Sequence, residues 1–186
     1  TPTPGTINGT ASVCANVTTT LSLTGTTFAS GLTYQWSYGP VGNPTANALG
    51  TSSSQSTATI PVGTWEVVAT VTCSNGGSPA TTAVFNFVKK PVPTASASSN
   101  SPVCVGQPLN LTGVNTDIGA TYAWSGPASF ASTQQNPQVS ATATAAMAGT
   151  YNFTATLNGC PSAVAPTVVV INLSPVITST TATPST

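Results

Sequence analysis

The stretch Leu32-Thr33-Tyr34-Gln35-Trp36-Ser37-Tyr38 carries a large apolar side chain at every second position. Successive side chains of a β-strand point to opposite faces, so this alternation places Tyr34 and Trp36 on the same face. The same alternation recurs in residues 65–71 and 151–157. No window of the sequence has the apolar spacing of a helix. The pattern therefore predicts an all-β protein.

The motif that contains this stretch occurs twice along the chain. Val13-Cys14, Tyr34-Gln35-Trp36, Gly63-Thr64-Trp65 and Cys73 recur in the same order as Val103-Cys104, Tyr122-Ala123-Trp124, Gly149-Thr150-Tyr151 and Cys160. Such internal similarity indicates two copies of one structural module. It predicts tandem domains at residues 1–90 and 91–173, followed by a tail at residues 174–186.

The tail resembles the segment that opens the second module. Pro175-Val176-Ile177-Thr178 is similar to Pro91-Val92-Pro93-Thr94. One interpretation is that the chain is a segment of a longer tandem array. The other is that its terminal strand pairs with an exposed sheet edge on a neighbouring subunit. Both alternatives predict copies of this chain, or adjacent repeats of it, as partners.

Charged residues are very rare in this sequence. They make up 2% of the 186 residues, whereas about 25% is usual, and they are Glu66, Lys89, Lys90 and Asp117. With zero net charge and no histidine, the chain has no basic surface for nucleic acid or anionic lipid. Hydroxyl and amide groups must cover the surface instead, which predicts either glycan decoration or burial in an assembly. Disorder is disfavoured, because 39% of the residues are hydrophobic and they alternate.

The residue inventory disfavours catalysis, metal binding and a cofactor. A glycosidase needs two carboxyl groups at one site, but Glu66 and Asp117 lie in different modules. A serine hydrolase needs a base, and the sequence contains no histidine. We therefore expect a non-enzyme without catalytic or metal-binding residues, and no apolar run is long enough for direct membrane insertion.

The four cysteines lie at corresponding places in the two modules. Four cysteines allow three connectivities, and the repeat favours the pairs Cys14 with Cys73 and Cys104 with Cys160. Zinc is the alternative, but the cysteines do not form close CxxC pairs and no histidine assists them. One disulfide per module would place the chain in an oxidising, extracellular compartment.

Several segments of the second module resemble a known protein family. These are residues 101–112, Gly119-Ala120-Thr121-Tyr122-Ala123-Trp124, residues 132–137, Ala148-Gly149-Thr150-Tyr151 and Asn158-Gly159-Cys160. They are similar to immunoglobulin-like repeats of large secreted and cell-surface proteins of Bacteroidota. The first module is a looser relative, closer to PKD-type sandwiches. The resemblance implies β-sandwich domains that serve as spacers or adhesive units in surface proteins.

The conspicuous aromatic residues have two interpretations. In an immunoglobulin-like sandwich, Trp36 and Trp124 would pack in the core, and Tyr151 would form a tyrosine corner that Trp65 replaces in the first module. An indole would have to satisfy that corner differently from a phenol, or not at all. The alternative is that the tryptophans form platforms for sugars.

These observations predict a structural function outside the cell. We expect two tandem immunoglobulin-like sandwiches, each with one disulfide, that form a repeat unit of a bacterial surface adhesin or filament. The alternative from another class is a carbohydrate-binding module of a secreted protein, with surface glycans as partners. A threonine-rich ice or mineral binder is a weaker possibility, since the Thr-x-Thr spacing is irregular.

Overall fold

The computed structural model describes residues 1–26 and 30–173 and is all-β. The chain divides into two compact units, Thr1–Val92 and Pro93–Thr186. This division lies two residues beyond the boundary that the repeat predicts after Lys90. The predicted assembly strand at Pro175, Val176, Ile177 and Thr178 lies outside the described residues.

The first unit consists of two facing sheets. Its strands are β1 (Thr6–Asn8), β2 (Ser12–Cys14), β3 (Thr20–Thr24), β4 (Leu32–Gly39), β5 (Asn47–Gly50), β6 (Ser54–Ser56), β7 (Gly63–Cys73), β8 (Ala80–Thr81) and β9 (Phe85–Lys90). One sheet has the order β1-β3-β6, and the other has the order β2-β9-β7-β4-β5 with β8 also on β7. Strand β2 is parallel to β9. This is the strand order of an immunoglobulin-like sandwich.

The second unit repeats this arrangement. Its strands are β10 (Ser96–Ser99), β11 (Val103–Cys104), β12 (Leu109–Val114), β13 (Thr121–Ser125), β14 (Ala131–Ser132), β15 (Gln138–Ser140), β16 (Gly149–Leu157), β17 (Cys160–Pro161), β18 (Ala165–Val169) and β19 (Ile171–Asn172), with a 3-10 turn at Ala145–Met147. The sheets have the orders β10-β12-β15 and β14-β13-β16-β17, with β18 also paired to β16. Strand β11 is parallel to β19.

Each unit has its own apolar core, which the alternating residues fill. In the first unit, Trp36 and Phe87 are fully buried together with Leu21. In the second unit, the Trp124 and Phe153 rings lie 4.8 Å apart between centroids. Burying such side chains is the main favourable contribution to folding, and each aromatic ring removes a large apolar area from water.

The two units also share a detail that their sequences do not reveal. In the first unit, the Ala69 N–H donates a hydrogen bond of 3.1 Å to the Thr82 hydroxyl. In the second unit, the Ala155 N–H donates one of 3.1 Å to the Ser162 hydroxyl. A buried N–H without a partner is costly, so each hydroxyl replaces a carbonyl that the sheet does not supply at this position.

The predicted disulfide pairing is wrong. Cys73 and Cys104 are free thiols, whereas Cys14 and Cys160 are disulfide-bonded. The prediction of one disulfide within each module therefore fails in both units.

Strand direction explains why the predicted pair cannot form in the first unit. Cys14 pairs with Lys90 at the end of β9, and the neighbouring Lys89 pairs with Gly63 at the start of β7. Cys73 lies at the other end of β7, ten residues beyond Gly63. At about 3.3 Å per residue this is about 33 Å, whereas a disulfide requires Cα atoms within about 7 Å.

The same geometry excludes the predicted pair in the second unit. Cys104 pairs with Asn172 in β19, beyond the end of β18 that faces Gly149. Cys160 pairs with Leu157, eight residues further along β16 than Gly149. That spacing corresponds to about 26 Å, so the two cysteines of this unit also lie at opposite ends of the sandwich.

Candidate functional site

The tryptophans of the two central strands lie in the cores. Trp36 is fully buried, and Trp124 is 2% exposed. The Trp36 indole N–H donates a 2.8 Å hydrogen bond to the Ser52 carbonyl oxygen, and the Trp124 indole N–H donates one of 3.1 Å to the Gln135 carbonyl oxygen. Both rings are therefore occupied by packing and neither forms an open platform for a sugar.

The corner aromatics make equivalent hydrogen bonds in the two units. The Tyr151 hydroxyl donates a 2.9 Å hydrogen bond to the carbonyl oxygen of Met147, four residues upstream. The Trp65 indole N–H donates one of 2.8 Å to the carbonyl oxygen of Pro61, also four residues upstream. An indole thus satisfies the corner with the same spacing as a phenol. Trp65 is half-buried and lies edge-on to the Tyr38 ring at 5.5 Å between centroids.

Removing either corner hydrogen bond should destabilise its unit moderately. We expect Tyr151→Phe to lower the free energy of unfolding by about 1 kcal/mol, because the part-buried Met147 carbonyl loses its donor. Trp65→Phe should cost less, because the Pro61 carbonyl is exposed and water can replace the lost donor. Urea denaturation followed by circular dichroism measures this. Tyr122→Phe is the matched control, since the Tyr122 ring stacks on Phe153 and lies outside the corner. A loss in the control equal to that of Tyr151→Phe would contradict a specific role of the corner.

Burial also raises the pKa of the Tyr151 hydroxyl above its ordinary value of 10.0, because the charged phenolate would lose its hydration. A raised folded-state pKa means that the protonated, donating form is favoured by folding. The corner's contribution to stability is therefore complete below the unfolded pKa and is lost as the pH rises through the folded one.

Lys89 occupies an unexpected position for a charged residue. It is 6% exposed, and its ammonium donates hydrogen bonds to the carbonyl oxygens of Thr57, Ala58 and Ile60 at 3.2, 3.1 and 2.8 Å. An ammonium has three donors, and here three carbonyl oxygens accept from it. Lys89 thus fixes the connection between β6 and β7 from inside the sandwich.

The two carboxylates serve local structure in separate units. Glu66 accepts a 2.8 Å hydrogen bond from the Gly42 N–H in the connection between β4 and β5. Asp117 accepts one of 2.8 Å from the Asn115 side-chain amide. Among the described residues, no group of three or more His, Cys, Asp or Glu side chains could hold a metal ion.

The second unit contains an open groove beside β13 and β14. Its volume is about 630 Å³, and its lining includes Trp124, Phe130, Gln134, Pro137 and Gln138. Gln134 and Gln138 are exposed, and Phe130 is half-buried. The groove therefore combines one accessible aromatic edge with two amides.

The loop that carries Phe130 has an unusual backbone. Ala128 and Ser129 have φ values of 54° and 57°, in the left-handed region that non-glycine residues rarely adopt. A Cβ atom at Gly126, at the start of the loop, would overlap the Tyr151 ring. Strained backbone of this kind is concentrated at ligand-binding positions, which makes the groove a candidate site.

No protein-family model matches this chain, and no curated protein matches it. The chain is similar to solved structures of immunoglobulin-type and fibronectin(III)-like molecules. The chain is similar to murine CEACAM1b, with 16% identity over 90% of this chain and 99% of that one and a TM-score of 0.43. It is also similar to the amphioxus IgVJ-C2 molecule, with 13% identity, coverages of 86% and 99% and a TM-score of 0.40.

A bacterial structure gives a similarity of the same kind. The fibronectin(III)-like modules of Clostridium thermocellum CbhA match at 11% identity, covering 93% of this chain and 94% of that one with a TM-score of 0.36. The immunoglobulin-like fold follows from the strand order within each unit. The part of the chain that the structure describes contains no helix with the length and apolarity needed to cross a membrane.

Proposed function

We propose that this chain is a non-enzymatic, extracellular structural repeat unit of a bacterial surface adhesin or filament, of the type found in Bacteroidota. The observation that supports this proposal best is that the repeated aromatic side chains have structural roles. In both units the central tryptophan and the corner aromatic are engaged in packing and backbone hydrogen bonds. The repeat thus preserves a scaffold rather than a reaction centre.

The surface chemistry favours assembly over a soluble, dispersed state. Charge normally keeps proteins apart in solution, yet Lys89 is buried, Glu66 accepts a hydrogen bond from the Gly42 N–H, and Asp117 accepts one from the Asn115 side chain. The remaining surface is largely hydroxyl and amide groups that can hydrogen-bond to a neighbouring copy. Disulfide-bonded cysteines, here Cys14 and Cys160, are typical of proteins in oxidising compartments, which supports an extracellular location.

Negative-stain electron microscopy of the purified chain tests the structural role. We expect elongated particles or filaments built from many copies. Deleting residues 175–186 should shorten or abolish them if the terminal strand pairs with a neighbour, and unchanged filaments would eliminate strand addition. Dispersed monomers at every concentration of the full chain would contradict the filament role itself.

The groove beside Phe130 supports one second candidate, a carbohydrate-binding module. Sugars commonly stack on aromatic side chains, and the exposed amides of Gln134 and Gln138 could hydrogen-bond their hydroxyls. A glycan array tests this with the full chain and a Phe130→Ala variant. Binding that the variant loses would favour a carbohydrate-binding module. Gln55→Ala, which changes an amide in the other unit, is the control and should leave such binding intact.

A further inference from the structure

The outer side of one sheet in the second unit carries a row of exposed apolar residues. Val164, Pro166, Val168 and Val170 occupy every second position along and beside β18. The three valines are 60%, 63% and 49% exposed, and Pro166 is exposed as well, whereas Val169 between them is buried. A sheet that packs on one side usually presents polar residues to solvent on the other. This row contributes nothing to the core of its own unit, and contiguous apolar patches of this kind are characteristic of interaction surfaces.

The strand register extends this row into a continuous face. In β16, Asn152 pairs with Pro166 of β18 on one side and with Ser125 of β13 on the other. Ser125 also pairs with Ala131 of β14. Directly paired residues point to the same side of a sheet, so one row of side chains crosses all four strands. The outward side chains of β13, β14, β16 and β18, together with Val164 and Val170, form what we call the neutral face, and no charged residue is among them.

The first unit provides an internal comparison for the neutral face. Gly63 pairs with Lys89 as Gly149 pairs with Val169, so the two ladders align residue by residue. Three outward positions differ in polarity between the units: Glu66 corresponds to Asn152, Asn86 to Pro166 and Lys90 to Val170.

This comparison shows that the sandwich does not require an uncharged outer face. The first unit has the same strand order and carries a carboxylate and an ammonium group on this side. The row also differs in its cover. Ser12 of β2 pairs with Val88, which is half-buried, whereas the pairing of β11 with β19 begins at Ile171, three residues beyond Val168. The second unit therefore leaves its outer valines open to a partner.

We propose that the neutral face binds the same face of a second copy of this chain, which forms a symmetric dimer through the second unit. The inference goes beyond the proposed structural role and holds whether or not the terminal strand pairs with a neighbour. A protein of ordinary composition has about 25% charged residues, and burying a charge against an uncharged surface is costly unless the charge is paired. The neutral face offers no ion for such pairing, and a second copy needs none.

The polar groups of the neutral face also suit pairing with their own kind. Thr150, Asn152 and Thr154 lie along β16, in the middle of the face. Hydroxyl and amide groups are both donors and acceptors of hydrogen bonds, so each can bond to an identical group. In a two-fold symmetric contact the same patch serves both subunits. The valines then leave water while the hydroxyl and amide groups keep hydrogen-bond partners.

The dimensions of the face determine how strong the contact can be. Strand β16 has nine residues, which span about 30 Å, and four strands about 4.8 Å apart cover a width of about 15 Å. The face therefore has an area of about 450 Å², and a dimer would bury about 900 Å² in total. Stable interfaces bury about 1,200–2,000 Å². We expect a weak, reversible dimer with a dissociation constant in the micromolar range or above, favoured where copies are crowded.

Sedimentation velocity of the full chain over a range of concentrations measures this dimer. We expect Val168→Glu to lower the association constant at least about tenfold, because the carboxylate would be buried without an ion to pair with. Val170→Lys should weaken association as well, and it introduces the residue that the sandwich already accommodates at the corresponding position of the first unit. Val84→Glu is the matched control, since Val84 is an exposed valine that precedes β9 as Val164 precedes β18. It should change the association constant less than about twofold.

The salt dependence of the wild-type dimer gives a second readout. Because no charged pair contributes to the contact, the association constant should change little between about 20 and about 500 mM NaCl. A steep fall over this range would contradict an uncharged interface.

A wild-type chain that remains monomeric up to about 1 mM would overturn the self-pairing. An association constant that Val168→Glu and Val170→Lys leave unchanged would do the same, and its loss on deleting residues 175–186 would assign the association to the terminal strand. Equal weakening by Val84→Glu would contradict a contact specific to the second unit. In a chain that stays monomeric, binding to a glycan array that Val168→Glu removes and Val84→Glu retains would assign the face to a neutral glycan instead.

Discussion

Lys89→Ala is expected to lower the free energy of unfolding of the first unit by about 3 kcal/mol. The substitution removes the ammonium from three carbonyl oxygens, of which that of Thr57 still accepts a 3.2 Å hydrogen bond from the Ile60 N–H. Each acceptor left unsatisfied in the interior costs about 1 kcal/mol or more. The substitution also leaves a cavity where the side-chain stem packs. Urea denaturation followed by tryptophan fluorescence in a Trp124→Phe background measures the effect, because Trp36 and Trp65 then report the first unit alone.

Lys89→Met separates the two contributions. Methionine fills most of the stem volume but offers no donor, so we expect an intermediate loss of about 2 kcal/mol. The second unit provides a natural comparison. Its position opposite Gly149 is Val169, which is 2% exposed, and its connection before β16 forms its own 3-10 hydrogen bonds. A Lys89→Ala loss below about 0.5 kcal/mol would show that water replaces the ammonium without cost, contrary to the prediction.

Trp36→Ala should destabilise the first unit even more, by about 4 kcal/mol. Truncating a large buried aromatic side chain typically costs 3–5 kcal/mol, and this substitution also orphans the Ser52 carbonyl oxygen. A domain of this size has a total stability of about 5–15 kcal/mol. The first unit of the variant should therefore unfold at much lower urea concentration than the second.

The expected observation is a two-step transition in the variant. Trp65 reports the first step and Trp124 the second, since each unit has its own core. Trp36→Phe keeps an aromatic ring in the core but loses the indole N–H and part of the buried area, so it should cost about half as much. If the variant unfolded in one step at the wild-type midpoint, the assignment of Trp36 to the core of an independent unit would be incorrect.

Alternation was a reliable guide to which side chains lie inside. Residues 65–71 and 151–157 form long central strands in the structure, because apolar residues at every second position can be buried only in a pleated sheet. The same rule could have located Lys89. It follows Phe85 and Phe87 at alternate positions, so it lies on the face that contains Phe87, which is fully buried. We did not predict that Lys89 is buried, because lysine is charged and is rarely buried without partners.

The cysteine pairing failed because a repeat shows which residues correspond but not which are close. The ten-residue interval from Gly63 to Cys73 lies within one extended strand. Because a strand rises about 3.3 Å per residue, this interval already implied a separation of about 33 Å between the two ends. The groove beside Phe130 had no comparable signal. It depends on the left-handed backbone at Ala128 and Ser129, residue types that give no warning of such a conformation.

The scarcity of free charge has a consequence for the surroundings in which this chain can work. Dissolved salt weakens attraction and repulsion between exposed ions, and at physiological ionic strength it does so over about 8 Å. Here one lysine is buried and both carboxylates accept hydrogen bonds from groups of their own unit. Contacts made through hydroxyl and amide groups should therefore hold equally well in fresh water and in brine.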